Sequence, residues 1–181
     1  MQTIESHLDV AARLRRAVRD IADFPRPGIV FKDITPILGD RGLFAATTEA
    51  LAAPFADDSV THVAAIESRG FILGAPVARV LNTGFIPVRK RGKLPYRTEG
   101  IDYALEYGTD RVEAHVDACT GGARVLVVDD VLATGGTAAA TCKLLEALGA
   151  TVVGCSFLLT IVPLGGAGAL GGRRIHTLLT Y

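Results

Sequence analysis

The sequence predicts an α/β fold with a largely parallel central sheet. Two observations carry this. From Val60 onward, short apolar runs alternate with stretches of helical period, and that alternation implies parallel strands joined by helical crossovers. One of those runs, RVLVVDD at 124–130, is continuous and β-branched, as a strand buried on both faces must be. The 181 residues suit one domain and suffice for a sizeable core.

The elements follow in order. Over residues 3–22, Val10, Leu14, Ala17, Val18 and Ile21 recur at helical spacing and predict one amphipathic helix. Residues 24–38, FPRPGIVFKDITPIL, hold three prolines and a glycine, so they predict an irregular extended segment, unusually apolar for a linker. Asp40 is placed to cap a second helix running to about Phe55. A buried strand is expected at 60–67 and a helix at 70–81, with Pro76 an irritant inside it. A strand is expected at 85–89, a polar loop from about 90 to 102, and a weaker hairpin at 103–107 and 111–116. The strongest strand is 125–129, followed by helix 137–148 and strand 152–161. Residues 165–172 read as a flexible glycine-rich connector, and 175–180 as a last short strand.

Composition narrows the function classes. Nineteen Lys and Arg balance nineteen Asp and Glu, which argues against a nucleic-acid binder held by bulk positive charge. The apolar share of 49 % is that of a globular protein. The first 21 residues mix acids and bases without a signal-peptide layout, and no apolar run reaches the length of a membrane-spanning helix. Cys119, Cys142 and Cys155 are odd in number and widely spaced. They read as reduced thiols, and the expected location is cytoplasmic. The four histidines are scattered and receive no chemistry.

Chemistry concentrates in VLVVDDVLATGGTA at 125–138. A buried strand is expected to end in two carboxylates, Asp129 and Asp130, before the turn Ala133, Thr134, Gly135, Gly136, Thr137 and a helix. Ligands of open α/β sheets sit off the carboxyl ends of strands. Unpaired N–H groups at a helix start favour a phosphate, and two glycines let the backbone approach it. The carboxylates would repel that phosphate, so they are expected to accept hydrogen bonds from sugar hydroxyls or to organise a metal. A phosphate cradle beside a hydroxyl-acceptor pair describes a ribose 5-phosphate site. No Gly-Lys-Ser/Thr follows, so a Walker loop is excluded. Residues 166–171 satisfy G-x-G-x-x-G, but too few residues follow for a dinucleotide-binding unit. Residues 89–97 carry Arg89, Lys90, Arg91, Lys93 and Arg97 and read as a mobile cationic loop able to meet a leaving group that develops negative charge.

The stretch VLVVDDVLATGGTA resembles the phosphoribosyl pyrophosphate (PRPP) signature of the type I phosphoribosyltransferase family. FPRPGIVFKDITPIL, ESRGF at 67–71, RKRGKLPYRT and YALEYG within 89–108, and the terminal LLTY resemble its adenine-specific branch, over nearly the whole chain. The resemblance implies a single domain over 1–181, with a hood at about 24–38 and a lid loop at about 90–102. It implies Mg²⁺-dependent transfer of 5-phosphoribosyl from PRPP to adenine, giving AMP and pyrophosphate.

The resemblance also distributes roles. Asp129 and Asp130 hold the ribose, and the turn 133–137 holds the 5′-phosphate. Ser68, Arg69, Arg89, Lys93 and Tyr107 meet pyrophosphate, Arg89 from the same or a neighbouring subunit. Val30, Phe31, Lys32 and Arg69 meet adenine, and Glu106 handles the proton on the ring. Magnesium is expected mainly through PRPP and water, with no direct protein ligand. A homodimer is implied, and neither nucleic acid nor membrane as partner. Two departures stand out. Lys32 replaces a frequent Arg and loses its planar fork, and Tyr96-Arg97 replaces a frequent Gly-Pro in the lid. The rival readings are transfer to another purine base and a non-catalytic PRPP-binding regulator. The latter would want an added DNA-binding domain and a basic face.

Overall fold

The computed structural model describes residues 2–104, 108–119 and 121–181, with side chains from Asp9 onward. Backbone contacts group the chain into two compact units, 1–50 and 51–181.

In the first unit, α1 spans Gln2–Ala17 and buries Leu14 completely. The expected helix stops five residues early. Residues Arg19–Ala22 form β1, paired antiparallel with β2 at Val30–Asp33. The register explains the departure. Arg19 lies opposite Asp33 and Asp20 opposite Lys32, and both pairs close as ion pairs, at 2.6 and 2.7 Å. Such cross-strand pairs reward the hairpin over continued helix. The proline-rich stretch is therefore largely ordered, correcting the irregular segment expected. Asp23 Oδ1 accepts from Gly28 N at 2.8 Å in the connecting loop, and Phe24 meets Phe31 edge-on at 5.1 Å. Asp33 then accepts from Thr35 N at 2.9 Å, and α2 follows at Thr35–Gly39 with Pro36 in its first turn, where the missing N–H costs nothing. Asp40 caps α3, Arg41–Ala52, by accepting from Leu43 N at 2.8 Å, as expected.

The second unit is a seven-stranded sheet. In chain order its strands are β3 (His62–Ile66), β4 (Gly84–Lys90), β5 (Thr98–Ala104), β6 (Thr109–His115), β7 (Arg124–Leu132), β8 (Thr151–Thr160) and β9 (Ile175–Thr180). They lie side by side as β5-β6-β4-β3-β7-β8-β9. Every neighbour from β4 through β9 is parallel, and β6 pairs antiparallel with β4 and β5. The largely parallel sheet is as predicted. Val125 to Val128 of the central strand are 0 % exposed, which accounts for their unbroken apolar run. Helix α4 (Arg69–Val80) packs on β3 and β7, and Gly74 permits the approach because a Cβ there would lie 2.4 Å from the Ala65 methyl. Pro76 is tolerated inside this helix; it leaves the Ile72 carbonyl without its intrahelical donor, on the side where Ile72 is exposed. Helix α5 (Gly136–Ala147) buries Ala138, Cys142 and Leu145 in the core with Val127 and Phe157. Each fully buried Leu or Phe of this kind contributes about 1.5–3 kcal/mol.

Three expectations are corrected here. Strand β5 begins at Thr98, so the loop expected over 90–102 is confined to 91–97. Strand β7 continues past the acids to Leu132, because β8 keeps pairing with it through Val131 and Leu132. The glycine-rich stretch holds a short helix, α6 (Gly166–Ala169), with Gly166 and Leu170 buried, and so is no loose connector.

Candidate active site

The candidate site lies at the carboxyl ends of β3, β4 and β7. The pairing of β3 with β7 stops at Ala65–Val128, whereas β8 follows β7 four residues further. Asp129 and Asp130 thus stand inside a strand yet past the end of β3, facing the segment that β3 releases. Arg69, at the start of α4, forms an ion pair through Nε with Asp130 Oδ2 at 2.8 Å. Gly70 lies so close that a Cβ there would sit 2.6 Å from Asp129 Oδ1 and 3.3 Å from the Val128 carbonyl. Glycine is required here by that approach, not by its backbone angles.

The two acids influence each other. Asp130 N donates to Asp129 Oδ1 at 2.9 Å. Burial pushes the Asp129 carboxyl well above the usual carboxylate range, and the neighbouring Asp130 charge adds to that. Burial raises Asp130 as well, against the opposing pull of Arg69. A desolvated like-charged pair beside one guanidinium is poised to accept hydroxyl donors or a cation.

Beyond Leu132 the chain turns into α5. Gly135 takes φ +80, a left-handed conformation suited to glycine, and begins the helix without a side-chain cap. Its carbonyl accepts from Ala139 N at 2.8 Å, leaving the first-turn N–H groups at Gly136 and Thr137 outside the helix ladder. Thr134 is exposed and Thr137 half-buried. The turn expected at 133–137 is thus present, with the helix starting one residue earlier than predicted.

The cationic loop is held by acids. Arg89 Nε donates to Glu67 Oε2 at 2.8 Å, and Lys93 Nζ to Glu67 Oε1 at 2.5 Å. Arg89 also donates to the Lys93 carbonyl at 2.9 Å. Burial alone would raise the Glu67 carboxyl, but the hydrogen bonds from Lys93 and Arg89 prevail and hold it below the usual range. Gly92 N donates to Glu113 Oε2 at 2.9 Å. Lys90 donates to Tyr103 Oη and to Asp110, the latter at 2.5 Å.

Ser68, Arg69, Arg89, Lys93, Asp129, Asp130 and the turn 133–137 therefore share one edge of one sheet. Glu106 and Tyr107 lie outside the described residues. Val30, half-exposed, and Phe31 and Lys32, part-buried, belong to β2 of the first unit, where Lys32 holds Asp20. Sequence reasoning missed Glu67. The sequence offers only that it closes a buried apolar run as Asp129 does, while its partners Arg89 and Lys93 lie more than twenty residues away. Among the described residues no three His, Cys, Asp or Glu side chains gather to hold a metal ion, and no helix is long and apolar enough to cross a membrane.

Comparison with known proteins agrees with this geometry. A family model described as Phosphoribosyl transferase domain matches residues 38–161. A protein of Myxococcus xanthus named adenine phosphoribosyltransferase is 55 % identical over 95 % of this chain and 94 % of its own length. The crystal structure of adenine phosphoribosyltransferase from Rhodothermus marinus is 51 % identical with a TM-score of 0.92, covering 96 % of this chain and 99 % of that one. The enzyme of Saccharomyces cerevisiae, solved with adenine and an imino-altritol bisphosphate, is 37 % identical with a TM-score of 0.90, over 95 % of this chain and 99 % of that one.

Proposed function

This chain belongs to the adenine phosphoribosyltransferase family, and we propose the following division of labour for its reaction. It is an enzyme of purine salvage that transfers the 5-phosphoribosyl group of PRPP to adenine, giving AMP and pyrophosphate. The bond from C1′ to the pyrophosphate oxygen breaks, the bond from C1′ to N9 forms, and the proton of the adenine imidazole ring is lost.

The turn 133–137 anchors the 5′-phosphate through its N–H groups and the Thr134 and Thr137 hydroxyls. Binding energy at this remote group places C1′ without itself reacting. Asp129 and Asp130 accept from the ribose hydroxyls and supply negative charge near C1′ as positive charge develops there. Ser68, Arg69, Arg89, Lys93 and Tyr107 receive pyrophosphate as it leaves, with Arg89 and Lys93 transferring their hydrogen bonds from Glu67 to the leaving group. Val30, Phe31 and Lys32, with Arg69, are assigned to the adenine ring, and Glu106 to the proton that N9 attack displaces, acting at N7. Backbone atoms of a hood strand would separate an exocyclic amine beside an acceptor from the reversed pattern of hypoxanthine or guanine.

Magnesium fits this donor set as a substrate-borne ion. Asp129 and Asp130 are the acids assigned to the sugar, and a small hard cation that keeps several waters would need few protein oxygens. When bound, it neutralises charge on the departing pyrophosphate. We further propose a cytoplasmic homodimer; the exposed Ile72 and Val80 on α4 and Phe85 on β4 suit such an interface.

The observation that carries the reading is the Arg69–Asp130 ion pair. It ties the pyrophosphate segment to the ribose acids one turn from a phosphate cradle. A base panel tests it. With PRPP and Mg²⁺, adenine is converted to its nucleotide while hypoxanthine, guanine and orotate are not; conversion of another base in place of adenine defeats the assignment.

A further inference from the structure

The glycine-rich segment after β8 touches the phosphate turn backbone to backbone. Gly166 is buried, and a Cβ built on it would lie 2.2 Å from the Ala133 carbonyl oxygen and 3.1 Å from the Gly135 amide nitrogen. The contact is reciprocal. A Cβ on Gly135 would lie 2.4 Å from the Gly166 carbonyl oxygen and 2.9 Å from the Ala169 methyl. No side chain larger than hydrogen fits on either partner. Gly168, two residues along, differs completely: nothing lies within 4 Å of a Cβ there.

The segment that supplies Gly166 is itself held at both ends. Gly165 takes φ +67 and donates to the Val162 carbonyl at 3.0 Å. Leu170 is 0 % exposed, in the core with Ala138 and Leu145 of α5. Arg173 then grips Glu146 of α5 through Nε at 3.1 Å and Nη2 at 2.8 Å, and donates from Nη1 to the Leu170 carbonyl at 2.9 Å. A short loop containing two glycines has little stiffness of its own. Here its Ala133 carbonyl and Gly135 amide rest against a braced backbone.

We propose that the 165–170 segment positions the phosphate turn, with Gly166 the positioning residue that sets where the N–H groups of 135–137 point. This rests on the reading of 133–137 as the 5′-phosphate anchor. A methyl at 166 needs an ordinary contact of about 3.4 Å where 2.2 Å is available, so the turn must retreat by roughly 1 Å. A misplacement of that size in a substrate-positioning group costs up to about a hundredfold.

The test uses the full chain and titrates AMP, which carries the 5′-phosphate, by calorimetry, together with kcat and KM for PRPP. Gly166→Ala weakens AMP binding and lowers kcat/KM for PRPP by about tenfold to a hundredfold, while Gly168→Ala leaves both within twofold. A purely structural role would instead reduce the number of AMP sites per chain at unchanged affinity. Either that result or wild-type affinity in Gly166→Ala overturns the proposal. Gly135→Ala separates the two layers. If it loses AMP affinity while Gly166→Ala does not, the anchor stands and the positioning role falls; if neither variant loses affinity, the anchor reading falls as well. Should Gly166→Ala fail to fold, Ala169→Gly removes the methyl packed on Gly135 without adding a clash. AMP affinity is then expected to fall about threefold or more, and an unchanged affinity overturns the proposal.

Discussion

Glu67→Gln probes the electrostatics of the site. The Glu67 side chain is 6 % exposed and accepts from two cations, Arg89 and Lys93, whose side chains are 36 % and 50 % exposed. A glutamine keeps the shape but loses the charge, and its amide nitrogen faces one donor with another donor. Hydrogen bonds to charged groups contribute about 1.5–3 kcal/mol each, and partners this exposed bring each nearer to 1 kcal/mol. The loss is then roughly 2 kcal/mol, which for a chain of this size lowers Tm by about 4–8 °C. A second measurement identifies the place. On the proposed roles, PRPP with Mg²⁺ would supply oxygens for the same two cations, so near-saturating PRPP should close the Tm gap between variant and wild type to less than half. Differential scanning fluorimetry with and without ligand reads both. A variant melting with the wild type refutes the weight assigned to the ion pairs. A gap that persists undiminished in saturating PRPP refutes the idea that Glu67 occupies cations destined for pyrophosphate. The pH dependence has a definite sign. The Glu67 carboxyl is held below its ordinary value in the folded protein, so its stabilisation is present above about pH 4.5 and is lost as pH falls through the folded value. The stability difference between Glu67→Gln and wild type should therefore vanish in acid.

Two further outcomes are expected. Asp129 is shifted the other way by burial, so its protonated form favours the fold, and that stabilisation is lost as pH rises above about 4. Asp129→Asn should then be more stable than wild type at pH 7, while kcat/KM for PRPP drops at least about tenfold; a variant less stable than wild type at neutral pH contradicts the sign. Chelation of Mg²⁺ should abolish turnover and leave Tm within about 1 °C, since the ion is assigned to the substrate; a large fall in Tm would point to a protein-held ion instead.

The fold was legible where one local pattern decides the outcome. The buried run at 125–128, the helix of 69–80 and the cap at Asp40 all follow from side chains near in sequence. The errors share one cause, partners distant in sequence. The helical period runs on through Val18 and Ile21, yet Arg19 meets Asp33 fourteen residues later, and a hairpin results. The acid pair looked like a strand end because the sequence does not reveal that β8 extends further along β7 than β3 does. Glu67 was unread because its value depends on Arg89 and Lys93, more than twenty residues away. The glycines at 165–172 suggested looseness because glycine composition alone does not separate a free loop from two backbones in contact.

The placement of Asp129 and Asp130 within β7 carries one more consequence. The nine residues of that strand include four with no exposed surface and the two acids proposed to hold the sugar. Packing defects and chemical defects are thus written on the same short stretch of chain. A methyl removed from Val127 would be transmitted along a single rigid rod to the carboxylates two and three residues away, instead of being absorbed by an intervening hinge. Drift in this region is constrained twice over, and the tolerance of the enzyme to change must reside in its outer strands and loops.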